Sequence, residues 1–427
     1  MSPVGSLRTF LPLAFLASIL FAGAAGCSRA GDGSIAVQLV YPSPPGAAAA
    51  SRASVRAAAY PTDPADRIRI RVLAPHFAPI ERWFLRSDGR GEIGGIPPGT
   101  RITVEVDEYP DTAVPSDNAV IAAPLLGRGW YHGITLSAGE VKTVPIAMYA
   151  KGTIVTICGA PASGGAGILG DTGDGGLDNE ARLENPTAVK AGPDDAIYVS
   201  TFTTGYGRVR KIDRYGYVSH FAGSGTHGTI TPGTAAASSP IDAVSDIDFD
   251  PAGNLYLFND WNQIVRVDNG VVNKLVYDNG TYNSAARLNI AVFDNGLLFF
   301  VNYLEPRVFQ ISGSSKSDFV TDNLPYDTTE PFAPSNYPLR APSSITYVPK
   351  MDSLVFADTD NDRIMRISLL DGNVYGMVGY PGGSPFADNI DASYMTPVRP
   401  RVVDYNPITG KIFFVEGSSN RVLYIDA

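Results

Sequence analysis

A triplet of short strands, recurring five times in the later part of the chain, constrains this sequence more than any other feature. The series opens with Thr187–Ala191, Ala196–Thr201 and Arg208–Asp213. It continues with Asp246–Asp250, Asn254–Asn259 and Gln263–Asp268, then Asn289–Phe293, Leu297–Asn302 and Arg307–Ile311. Ser344–Val348, Ser353–Asp358 and Arg363–Ser368 form the fourth set, and Arg401–Asn406, Lys411–Glu416 and Arg421–Asp426 the fifth. Tight-turn compositions such as Pro193-Asp194-Asp195, Pro251-Ala252-Gly253 and Asp294-Asn295-Gly296 join the first two strands of a set. The sets begin at residues 187, 246, 289, 344 and 401, so the intervals are 59, 43, 55 and 57. A unit this small cannot bury its own apolar face, so the repeats must pack on one another.

Two segments fit a known pattern closely. One runs from Asp171-Thr172-Gly173-Asp174-Gly175-Gly176 through Leu183-Glu184-Asn185-Pro186-Thr187 into Asp195-Ala196-Ile197-Tyr198-Val199, and the other is Phe356–Ile364. With these segments, residues 150–427 resemble the NHL-repeat family. That resemblance implies a β-propeller whose blades each need a fourth, outer strand. Tyr217–Ala222, Lys274–Tyr277, Ser317–Val320 and Val374–Val378 supply it for four sets. For the fifth, which reaches Ala427, the expected partner is Thr153–Cys158, closing the ring and removing its edges. Five blades are therefore expected, with a degenerate sixth as the alternative because six is commoner in the family.

The start of the chain predicts export. Arg8 precedes an apolar run from Phe10 to Ala25, too short to span a bilayer comfortably, and small residues then lead to Cys27. Ala24-Ala25-Gly26-Cys27 resembles a bacterial lipobox, although Ala24 stands where Leu is commoner. The resemblance implies cleavage after residue 26 and acylation of Cys27, and Ser28 favours the outer membrane. Residues 1–26 are thus expected to be a lipoprotein signal peptide and 27–33 a tether.

Residues 34–149 read as a β-sandwich. Arg67–Leu73 alternates strictly, with Ile68, Ile70 and Val72 on one face and arginines on the other. Further strands are expected at Ser34–Tyr41, Glu81–Leu85, Gly91–Ile93, Arg101–Val106, Tyr131–Leu136 and Val141–Met148. The segments Ile96-Pro97-Pro98-Gly99-Thr100 and Leu136-Ser137-Ala138-Gly139-Glu140 resemble Ig-like or carboxypeptidase-regulatory-like modules, which implies spacing or adhesion. The whole chain is expected to be all-β, with Gly 44 and Pro 33 supplying turns and Tyr 21 and Phe 19 suiting strands.

No catalytic set emerges. His76, His132, His220 and His227 form no metal motif, and the alternation Asp358, Asp360, Asp362 lacks the Gly and Glu of a calcium loop. Asp171, Asp174 and Asp178 read as a structural loop, and Cys158 as an inert thiol in an apolar run. Neither metal nor cofactor is expected. A net charge of −10 argues against nucleic acid. The expected function is a monomeric, membrane-anchored scaffold whose propeller face engages protein, peptide or glycan. Phe202, Tyr206, Trp261, Tyr303, Tyr326 and Tyr337 are its candidate contacts, since aromatic rings dominate interface energetics. The alternative is a metal-dependent hydrolase or lyase, because some six-bladed relatives are lactonases or amidating lyases with metal ligands around the channel.

Overall fold

Alternation along Arg67–Ala74 separates the two faces of its strand as the sequence requires, and a core forms on the aliphatic side. This computed structural model describes residues 19–20, 32–40, 66–88, 92–110, 125–150, 157–159, 170–203, 206–226, 228–259, 263–278, 288–294, 297–313, 315–321, 337–379, 399–407, 410–417 and 421–426. The chain divides into two compact units, Met1–Ile157 and Cys158–Ala427.

The first unit contains β1 (Ile19–Leu20), β2 (Gly33–Val40), β3 (Arg67–Ala74), β4 (Phe77–Leu85) and β5 (Glu92–Ile96). β6 (Arg101–Tyr109), β7 (Gly127–Thr135), β8 (Val141–Ala147) and β9 (Tyr149–Ala150) complete it. β2 pairs with β1 and β5 antiparallel and with β8 parallel, while the second sheet has the order β4-β3-β6-β7-β9. Ile35, Val37 and Leu39 of β2 meet Ile68, Ile70 and Val72 of β3 and Val104 and Val106 of β6 in one buried cluster. On the opposite face of β3, Arg69 and Arg71 converge with Arg128 on Asp107. Burial raises the Asp107 carboxyl, but hydrogen bonds from Arg128 and Arg69 outweigh that and hold it below the usual range. Ile19 and Leu20 pair with Leu39 and Gln38 although they lie in the expected signal peptide. Cys27 and the rest of residues 21–31 lie outside the described residues.

In the second unit, five successive antiparallel sheets follow the five sequence triplets. Sheet 1 is β10 (Pro186–Ala191), β11 (Ile197–Thr203), β12 (Tyr206–Ile212) and β13 (Val218–Ala222). Sheet 2 is β14 (Val244–Phe249), β15 (Leu255–Asn259), β16 (Gln263–Asp268) and β17 (Val271–Asp278). Sheet 3 is β18 (Leu288–Asp294), β19 (Leu297–Asn302), β20 (Glu305–Ser312) and β21 (Ser315–Thr321). Sheet 4 is β22 (Pro342–Val348), β23 (Ser353–Asp358), β24 (Arg363–Ser368) and β25 (Val374–Val378). Sheet 5 is β26 (Pro400–Asn406), β27 (Lys411–Glu416) and β28 (Arg421–Asp426), three-stranded among the described residues. The all-β expectation holds, and each expected fourth strand is present in sheets 1 to 4. Thr153–Thr156 of the expected closing strand lie outside the described residues, and Cys158 is half-buried and outside any strand.

The first strands of consecutive sheets lie side by side, as a propeller requires. Each pair of neighbouring sheets shares an apolar cluster: Tyr198 with Ile247, Phe258 with Ile290, Val301 with Ile345, and Ala357 with Val403. The leading face of sheet 1 is covered instead by the loop before it. There Ala181 and Leu183 pack with Val199, Ile212 and the Cys158 side chain. Arg210, wholly buried, ties that loop down. Its Nε and Nη2 donate to Asp174 Oδ1 at 3.0 and 2.8 Å, and Nη1 and Nη2 donate to the carbonyls of Arg182 and Thr172. Arg208 pairs with Asp171 in the same loop. The Asp-Gly segment therefore spends its carboxylates on arginines.

Replacing Arg210 by Met strips two carbonyls and a carboxylate of their donor. Chemical denaturation should show a loss of about 3 kcal/mol, whereas Arg214→Met on the exposed turn should be near neutral.

Candidate ligand-binding site

The five innermost strands converge on a cavity of about 630 Å³ to which every sheet contributes. Its walls are mostly aliphatic, and register explains which side chains enter. Asp246 stands opposite Phe258, Asn289 opposite Val301, Ser344 opposite Ala357, Val402 opposite Val415 and Ala188 opposite Ser200. These five positions are equivalent. At three of them a polar side chain reaches the next sheet. Asp246 Oδ2 accepts the N–H of Ile290 at 2.8 Å and the Asn289 amide at 2.7 Å. Asn289 Oδ1 accepts the N–H of Ile345 at 2.6 Å, and Ser344 Oγ accepts that of Val403 at 3.1 Å. Sheet 1 reaches sheet 2 differently, through Thr187 Oγ1 donating to the Val244 carbonyl at 2.6 Å.

One residue along each strand, the aliphatic layer shows where the arrangement opens. Ile247, Ile290, Ile345 and Val403 are 2%, 3%, 2% and 3% exposed, but the equivalent Val189 of sheet 1 is 68% exposed. On the facing side of sheet 5, Val422 is 69% exposed where Ile264, Val308 and Ile364 are fully buried. The cavity borders this opening, and Val189 and Val402 stand on its two sides.

At the next inward position lie Lys190, Asp248 and Asp404. Lys190 Nζ is 3.1 Å from Asp248 and 3.4 Å from Asp404. Burial lowers the affinity of Lys190 for its proton, but Asp248, Asp404 and Asp246 outweigh it and hold the ammonium above the ordinary range. For Asp246 burial is the largest influence. It raises the carboxyl to about 7, although the Ile290 N–H and Lys190 oppose it and Asp248 adds to it.

Phe202, Tyr206 and Tyr303 share one end of the sheets. The second and third strands join there: Gly207 N–H donates to Ile241 on the segment entering sheet 2, while Asp360 N–H to Arg340 and Gly417 N–H to Arg399 tie turns to the segments entering their own sheets. Gly207 permits this approach, since a Cβ would stand 2.0 Å from the Asp242 carbonyl. Phe202 lines the cavity and is half-buried. Tyr206 flanks the same turn, bridged to Asp242, and Tyr303 accepts from Arg399 Nη2 at 3.2 Å. Trp261 and Tyr326 lie outside the described residues. Tyr337 corrects the sequence-based expectation. It is fully buried, rests edge-on against Phe356 and donates to Asp358 Oδ2 at 2.5 Å, so it offers no contact. A hydroxyl two residues before the Leu339 that enters the same cluster served the core, and residue type alone concealed this.

Asp358 also accepts from Asn361 and the Arg340 N–H, while Asp360 pairs with Arg399 and Asp362 accepts the Arg399 N–H. The three carboxylates do not converge. Among the described residues no three His, Cys, Asp or Glu side chains gather as a metal ion would need. His220 bonds the Gly223 carbonyl, and His227 lies outside the described residues. Burial, first, and Asp178 raise the Cys158 thiol to about 11, which keeps it protonated and unreactive.

No family model matches the chain. No curated protein matches it either. Among solved structures, a nidogen/laminin complex is 12% identical over 58% of this chain and 77% of that chain, with a TM-score of 0.40. A Bacteroides thetaiotaomicron protein of unknown function is 13% identical over 76% and 94%, with a TM-score of 0.36. An auxiliary nutrient binding protein from the same organism is 12% identical over 75% and 94%, with a TM-score of 0.34. Similarity at this level assigns no function to this chain.

Asp246 and Asp358 both have carboxyls raised to about 7 from 3.8. The folded state then holds protons that the unfolded state has released, so stability falls as pH rises from about 4 to 7 and levels off above. Carboxylates held low, such as Asp107, act only below that window. Urea midpoints between pH 4.5 and 8 should decline accordingly, and Asp246→Asn should flatten the slope.

Proposed function

We propose that this chain is an exported, lipid-anchored binding protein: a β-sandwich followed by a five-bladed β-propeller that takes its ligand in the central cavity. The observation that carries this reading is the cavity itself, to which the innermost strands of all five sheets contribute and which opens between Val189 and Val402. Its aliphatic walls and few convergent polar groups suit a binding pocket. Phe202 lines it, and Tyr206 and Tyr303 stand at the same end of the sheets, where large rings contribute most to recognition. The reading includes no catalytic step.

Five repeats and five successive sheets support a count of five blades. Anchoring rests on the residues before and including Cys27, and Ser28 supports delivery to the outer membrane.

Two measurements test the two halves of the proposal. Expressed in its host, the chain should carry acyl mass and sediment with membranes, and Cys27→Ala should remain unprocessed; a soluble, unacylated product overturns the anchor. Val189→Arg should plug the cavity at little cost to folding, because Val189 is already exposed. Native mass spectrometry after incubation with envelope extract should show a ligand on the wild type that this variant loses. Equal capture by both would place binding elsewhere.

A further inference from the structure

The innermost strands carry a repeating hydrogen bond at three junctions. Between sheets 1 and 2 the Thr187 hydroxyl bonded to the Val244 carbonyl replaces it, and between sheets 5 and 1 the described residues show neither. Asp246, Asn289 and Ser344 accept the N–H of Ile290, Ile345 and Val403 in the following sheet. Sheet 5 has Val402 at the equivalent position, and its side chain accepts nothing. The N–H standing where those of Ile290, Ile345 and Val403 stand belongs to Val189 of sheet 1. Among the described residues no side chain accepts it. An open strand edge with unmatched backbone groups can pair with another extended chain.

Two further observations narrow the occupant. Val189 and Val402 present exposed aliphatic surface beside that edge. Asp248 and Asp404 share one cation among the described residues, Lys190, and Asp246 beside them is partly ionised at neutrality, which leaves the site negative. Asp404 is the carboxylate free to serve a ligand. Its side chain is 57% exposed and among the described residues is met by Lys190 and Thr346, both at 3.4 Å.

We propose that the cavity, where it opens between sheets 1 and 5, binds an extended peptide segment carrying a lysine or arginine. A peptide carbonyl accepts the Val189 N–H, the adjoining side chains lie against Val189 and Val402, and the cation meets Asp404. A cavity of about 630 Å³ admits a few residues in this form and no folded domain. The inference rests on the binding reading above and names its ligand class.

The test uses the full chain and fluorescein-labelled, acetyl-capped tetrapeptide amides with valine flanks and Lys, Ser or Glu at the third position. Anisotropy should show the Lys peptide bound about tenfold tighter than the Glu peptide. Asp404→Asn should erase the preference for Lys over Ser while leaving the Ser peptide bound. Val402→Asp places a carboxylate where Asp246 and its equivalents work, so it should accept the Val189 N–H itself. That variant should melt at a higher temperature and lose peptide binding by about tenfold or more. Val402→Ser, which copies Ser344, should do the same more weakly. Equal binding of the three peptides, or unchanged binding by Val402→Asp, overturns the proposal. If no peptide binds but Val189→Arg still loses a ligand captured from extract, the peptide class falls and the binding site stands. If neither is seen, both readings fall.

Discussion

Burial of one aliphatic residue per sheet against the sheet before it is the contact on which the second unit depends. A small antiparallel sheet is marginal alone in water, because one face of its apolar side chains stays wet. Ile247, Ile290, Ile345 and Val403 remove that exposure at four successive junctions, each seated on aromatic or aliphatic side chains of the preceding sheet. Packing of this kind is non-directional and would tolerate sliding. The polar residues one position earlier prevent it, since Asp246, Asn289 and Ser344 each recognise one particular N–H. Hydrophobic area supplies the energy and directed hydrogen bonds between the innermost strands set the register. Where both are missing, between sheets 5 and 1, the cavity opens.

Carboxylates in this protein behave oppositely according to how many cations share their burial. Asp107 is buried among Arg69, Arg71 and Arg128 and stays ionised. Asp358 is equally enclosed, but its hydrogen-bond donors are a tyrosine, an asparagine and a backbone N–H, the charge of Arg363 acts more weakly than these, and its carboxyl rises to about 7. Neutral donors satisfy geometry without offsetting the loss of water. Asp246 belongs with Asp358, which lets one cavity hold both a persistent ion pair at Lys190 and a carboxyl that titrates near neutrality.

Strand positions were legible because short-range alternation and turn chemistry suffice for them. Val374–Val378 was expected and found with the same bounds, and Arg67–Leu73 differs only by adding Ala74. The cavity was not legible from any one repeat. Lys190, Asp246, Asn289 and Ser344 are ordinary strand residues until five sheets bring equivalent positions together. Aligning the triplets on their hairpin turns would have exposed the signal: a polar residue in three of five strands at a position that Val402 and Ala188 fill with methyl groups. Aromatic type picked out Phe202, Tyr206 and Tyr303, which share one end of the sheets, and misled at Tyr337, whose hydroxyl serves Asp358.

The register bonds also have a direction in time. Asp246, Asn289 and Ser344 accept from residues 44, 56 and 59 positions later in the chain. During synthesis each acceptor therefore emerges before its donor, by about 2–12 s at ordinary elongation rates. Every new sheet meets a finished template that already displays the group it must bind. Sheet 1 has no such predecessor, and the loop clamped by Arg210 takes that role, standing in for a neighbour while the first template forms.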